Sequence, residues 1–196
     1  MHPMTLFAWA NWPLWVLSVA MIVAAVIDGW KLKVPNWLTF PLILSGWLLG
    51  LLHNLGWLSG GGIGASLAGT ALGFGLLLPV YAIGGMGAGD VKMQMGFGSW
   101  IGAIFGISPG LGIIFYAFCA AVLIGGVIAL AMMLIRRQFR SNIQNTREIL
   151  GDLFTSSTLG VVANKAAQRK SRLHLLPYGI PLCLGFVGYL FFLYGL

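Results

Sequence analysis

Only four acidic side chains occur in this chain of 196 residues, and two of them stand where a carboxylate is expensive. Asp28 closes the apolar run "VLSVAMIVAAVI", and Asp90 sits in "GAGDVKMQMGFG", residues 87–98. Glu148 and Asp152 lie in a polar stretch and look ordinary. A carboxylate near hydrocarbon usually faces a bundle interior or a wet cavity. Two at the same depth can share one site. Both cannot ionise comfortably when close, so one holds a proton and the other does not. The charged one then takes a proton from water while the protonated one donates to a substrate carbonyl oxygen. Water attacks, and a peptide bond breaks. The roles belong to the pair, because coupled groups titrate together; the sequence does not say which aspartate is which. Each also has a structural reading, as a helix cap or orientation marker, with Asp28 paired to Lys31.

The neighbours of the two acids fit such a site. Gly85, Gly87 and Gly89 precede Asp90. Lacking Cβ, they allow a sharp bend and the close approach of a substrate strand. An aspartate opening a helix accepts from its free N–H groups, and Lys92 stands two residues on. In "KVPNWLT", residues 33–39, Pro35 lies near the opening of a span, and Asn36 suits either a helix cap or a hold on substrate backbone. In "LPYGIP", residues 176–181, Pro177, Gly179 and Pro181 should distort the start of the last span. Tyr178 reads as an interface anchor or a site-lining hydroxyl. Cys119 and Cys183 lie within apolar runs and form no C-x-x-C pair, so neither a zinc site nor a redox centre is indicated.

The elements that must position these groups are membrane helices. The chain is 59% hydrophobic and 8% charged, against about 25% charged in soluble domains. A secretory signal would explain one apolar run, but here the runs continue to the last residue. Helices need about 20 residues to cross hydrocarbon, and their internal hydrogen bonds make them the economical answer. The alternation of a transmembrane barrel is absent. The expected spans are 8–27, 37–53, 62–83, 93–108, 111–135 and 176–195, with the fourth the weakest. Net charge is +7. In a membrane protein this reports orientation or contact with anionic lipid, not nucleic acid.

With six spans, every charged connection emerges on one side. Asp28, Lys31 and Lys33 fall between the first two, and Asp90 and Lys92 between the third and fourth. The remainder lie in a connection at about 136–175. The positive-inside rule makes this side cytoplasmic and turns both chain ends outward. Removing the fourth span breaks the segregation. Within the long connection, Ile149, Leu150, Leu153 and Phe154 recur at helical spacing and suit a short helix on the inner leaflet; a plain tether is the alternative. The 29 glycines concentrate in spans three and four, which predicts tight packing of that pair. The expected architecture is all-α, a polytopic bundle of six transmembrane helices forming one membrane-embedded domain over 1–196.

The chain resembles the type IV prepilin peptidase family of GxGD membrane aspartyl proteases, in particular its short members from tight-adherence (Flp-type) pilus systems. Gly87-Ala88-Gly89-Asp90 reads as GxGD, continued by Lys92. Asp28 with "VPNWLT" at 34–39 looks like the family's first aspartate and its downstream segment, and "LPYG" at 176–179 like the element before the last span. The resemblance implies Asp28 and Asp90 as the catalytic pair, with Gly87, Gly89, Lys92, Asn36, Pro35 and Tyr178 shaping the site. It implies a prepilin or pseudopilin-like substrate, cut at the cytoplasmic face of the inner membrane between a basic leader and an apolar helix. The pilus assembly machinery is an implied partner. The paired cysteines that long members carry, linked to N-methylation, are missing, so S-adenosylmethionine is not implied, nor any other cofactor. The rival readings are a non-catalytic assembly or scaffold component and an ion-coupled transporter. The latter favours midplane residues and internal repeats, and neither is visible.

Overall fold

The computed structural model describes residues 12–56, 60–82, 85–136 and 178–194, and these form six helices and no strands. The helices are α1 (Trp12–Lys31), α2 (Asn36–Asn54), α3 (Gly62–Ala82), α4 (Ala88–Phe105), α5 (Ile107–Arg136) and α6 (Gly179–Tyr194). Three of them, α1, α3 and α5 as far as Met132, are long and apolar enough to cross a membrane. The chain is therefore a polytopic, all-α membrane protein. The expected inner-leaflet helix over 149–154 and the 136–175 connection lie outside the described residues.

The helix ends differ from the apolar runs, and the difference matters for the site. Helix α1 continues to Lys31, so Asp28 is inside it and not in a connection. Helix α4 opens at Ala88 instead of 93, which puts Asp90 and Lys92 in its first turns. Hydropathy marks where a helix is greasy. Backbone hydrogen bonding continues beyond that, and at α1 the last turn closes with Leu32 N–H donating to Asp28 O at 2.7 Å. Between α4 and α5 the expected connection shrinks to Gly106, whose φ of 81° only glycine adopts without cost. Helix α6 starts at Gly179, later than the expected 176, with Pro181 in its first turn, where a missing N–H is tolerated; Pro177 lies outside the described residues.

Helix α4 explains its own weak hydropathy. It touches all five other helices and buries most of its length, so it faces protein and not lipid. Small and polar residues serve there better than leucine. The α3–α4 interface is the most extensive in the bundle. Cβ atoms added at Gly69 and Gly98 would each enter the other's backbone carbonyl, and one at Gly102 would enter that of Ala65. Such close approach lets van der Waals packing hold helices together without a hydrophobic drive. Ser66 Oγ donates to Ser99 O at 2.8 Å, and Trp47 Nε1 donates to Thr70 Oγ1 at 3.0 Å. Trp100 Nε1 donates to Leu42 O at 2.9 Å, joining α4 to α2. Phe97 and Phe186 stack at 4.3 Å and join α4 to α6.

Candidate active site

The two unusual acids come together at one end of the bundle. Asp28 lies one turn from the C-terminal end of α1, and Asp90 lies in the first turn of α4. They are 3% and 5% exposed, which is rare for carboxylates and demands polar partners. Both line a cavity of about 400 Å³, within the usual range for ligand sites, about 300–1,000 Å³. The rest of its wall comes from the α1–α2 connection (Leu32, Lys33, Val34), Asn36, Gly87, Ala88 and Gly89 at the start of α4, Lys92 and Tyr178. Of the residues expected to shape the site, Gly87, Gly89, Asn36, Lys92 and Tyr178 line it, and Pro35 does not.

Each carboxyl is held by a backbone N–H at a helix start. Gly87 is the N-cap of α4, and its N–H donates to Asp90 Oδ2 at 3.2 Å. This is the reciprocal half of a capping box. Asp90 thus meets backbone N–H as expected. Gly179 opens α6, and its N–H donates to Asp28 Oδ2 at 2.8 Å. Tyr178, just ahead of α6, is half-buried. Burial first, and the nearby Asp90 second, raise its phenol above the ordinary value, so it stays protonated and offers an O–H donor to the cavity.

Two expected roles change. Asn36 is not a helix cap: Pro35 occupies the N-cap of α2 with no side-chain cap bond. Its carbonyl accepts from Leu38 N–H and Thr39 N–H instead. Asn36 Oδ1 accepts from Lys92 Nζ at 2.9 Å, tying the start of α2 to that of α4. The Lys92 ammonium also sits 4.6 Å from the Phe40 ring centroid. The second change concerns Gly89, which is helical and makes no bend. A Cβ there would lie 2.8 Å from Val34 O and 3.0 Å from Val34 Cβ. Its smallness admits the chain's own 33–35 segment. Gly89→Ala should therefore cost about 1–3 kcal/mol by forcing that segment and α4 apart. Gly112→Ala, where nothing lies within 4 Å, should not. Thermal unfolding of the two variants in one lipid environment separates them.

Sequence reasoning missed Gly179 as a partner of Asp28, and missed Leu32, Lys33 and Val34 as wall. The available signal for the wall was position: a connection of four residues that begins one turn after Asp28 has little room to leave the site. Leu32 also has φ 51°, a left-handed backbone unusual for leucine. It turns the chain straight from α1 back across the cavity.

A model of the type IV leader peptidase family matches residues 15–130, more than half of the chain. The matched segment contains both Asp28 and Asp90, while Tyr178 and Gly179 lie beyond it. No curated protein and no solved structure matches the chain significantly.

Proposed function

Since the chain belongs to the type IV leader peptidase family, we propose that it is an intramembrane aspartyl endopeptidase. It removes the basic leader of prepilin-like precursors, with Asp28 and Asp90 as its catalytic pair. One observation carries the reading: two buried carboxylates, 62 residues apart in sequence by their numbers, line a single cavity at one end of the bundle. Among the described residues these are the only two acidic side chains, since the other two fall at 148 and 152.

The chemistry follows from one shared proton. The ionised carboxylate takes a proton from a water in the cavity as that water attacks the scissile carbonyl carbon. The protonated partner donates to the carbonyl oxygen, giving a neutral tetrahedral diol. Proton transfer to the amide nitrogen then lets the C–N bond break. The leader leaves with a carboxyl group and the mature subunit with an amine. The Tyr178 hydroxyl, on the cavity wall, suits a hydrogen bond to the substrate backbone. The Lys92–Asn36 bond holds the starts of α2 and α4 in register around the site. Each step uses side chains and water alone.

The finer topology belongs to the same reading. All six helices cross the inner membrane, both termini face outward, and the cavity opens to the cytoplasm, where Lys31 and Lys33 favour retention. A cysteine introduced at position 31, on a chain with Cys119 and Cys183 replaced by alanine, should react with an impermeant thiol reagent from the cytoplasmic side only. One introduced at position 59 should react from the opposite side only. Labelling of both from the same side would overturn this arrangement. The function itself is tested by co-expression with a prepilin precursor bearing a basic leader, a glycine and an apolar helix. Wild type should shorten the precursor, and neither Asp28→Asn nor Asp90→Asn should. Unchanged processing by both variants would leave a non-catalytic assembly role.

A further inference from the structure

The carboxyl of Asp28 is aimed by a partner on the last helix. The Gly179 N–H reaches Asp28 Oδ2 at 2.8 Å across 151 residues of sequence. Gly179 is itself buried. A Cβ at that position would lie 2.8 Å from Asp28 Oδ2, 2.9 Å from its Cβ and 3.1 Å from its Cγ. Real Cβ atoms do not approach that closely, so any side chain at 179 must push the carboxyl away. The same residue thus gives the hydrogen bond and leaves the space for it. Its φ is not positive, so backbone conformation does not demand glycine here.

We propose that Gly179 is the positioning residue for Asp28, fixing which oxygen of the carboxyl works in the cavity. This deepens the peptidase reading and rests on it. A backbone N–H can only donate, so Oδ2 must act as acceptor. A carbonyl oxygen accepts better than a hydroxyl oxygen, so this bond favours Oδ1 as the oxygen that carries a proton on Asp28. Asp90 is arranged alike, with Oδ2 accepting from the Gly87 N–H. Each carboxyl is thus held through its Oδ2 by a backbone N–H at a helix start. Helix α6 is thereby part of the machinery, although it lies beyond the family-matched segment. Packing carries the same message: α6 contacts α1 and α5 extensively, and Phe186 locks it to α4.

The test uses the full chain in lipid nanodiscs with a synthetic prepilin-type peptide, reading kcat and KM separately. Gly179→Ala should lower kcat about 10²-fold, the scale of a roughly 1 Å misplacement. KM should stay near wild type, and the pH profile of kcat should move, because the carboxyl loses its fixed partner. Gly188→Ala, on the same helix with nothing within 4 Å, should change neither constant. If Gly179→Ala keeps wild-type kcat while Asp28→Asn is inactive, the positioning role is overturned and the aspartate pair stands. If Asp28→Asn itself still cleaves, the pair falls, and the role of Gly179 falls with it. Should Gly179→Ala not accumulate, the double variant Asp28→Gly/Gly179→Ala decides, since all three crowding atoms are then gone. Recovered folded yield supports the collision with Asp28, and no recovery overturns it.

Discussion

Asp28→Asn and Asp90→Asn are each expected to lower cleavage of a prepilin-type precursor by at least about 10³-fold, while the protein still inserts. The size follows from losing general acid–base transfer, which contributes about 10²–10⁴-fold. A carboxamide keeps the shape of the carboxylate and cannot exchange the proton. It also keeps an acceptor oxygen: at position 28 it can still take the Gly179 N–H, and at position 90 the Gly87 N–H. Both variants should therefore fold, and the loss should be chemical. The double variant should be no worse than either single one, because in the proposed mechanism the two groups share one proton and act as a unit. Precursor and mature band intensities, with membrane-fraction yield as the folding control, check all three. Full cleavage by either single variant would end the assignment of that residue.

Gly98→Ala is the structural counterpart, with an expected loss of about 3 kcal/mol. Added Cβ atoms usually help a helix, since Gly costs about 0.5–1 kcal/mol relative to Ala. Here the added carbon would enter the Gly69 carbonyl oxygen of α3 and lie 2.8 Å from its carbon. Backbone cannot rotate aside as a side chain can. Relief requires α3 and α4 to separate, and that weakens the Ser66–Ser99 bond and the seating of Gly73 against Gln94. Gly64 and Gly75, both on α3, have nothing within 4 Å of an added Cβ, so their changes to alanine should be slightly stabilising. Equilibrium unfolding in mixed micelles should show opposite signs for the two classes. Equal effects would mean that α3 and α4 do not approach as closely as described.

The same contrast bears on how the site is held. Asp90 sits near the start of α4, and α4 is fixed along its length by α3 and α2. Asp28 sits at the far end of α1, whose own contact with α2 is slight and whose firmer neighbour is α6. One acid is thus built into the rigid glycine-packed core, and the other depends on the last helix. Disturbing the α3–α4 seam should destabilise the protein at large. Disturbing the start of α6 should reach activity first.

What the sequence by itself determined was mostly one-dimensional. Long apolar runs and scarce charge dictated membrane helices, because lipid allows no unpaired backbone. The placement of Asp28 and Asp90 at the edges of those runs marked them, because a carboxylate there is costly without a purpose. The glycines of spans three and four announced a close seam, and the seam is there. Tertiary structure decided the rest. Helix α4 looked weak because hydropathy assumes lipid as the neighbour, and its neighbours are other helices. Gly89 looked like a hinge until Val34 proved to occupy the space beside it. Asn36 looked like a cap until Lys92 reached it from α4. The grip of Gly179 on Asp28 joins positions 151 residues apart. No local pattern encodes such a pair, because it exists only once packing has brought the end of α1 against the start of α6.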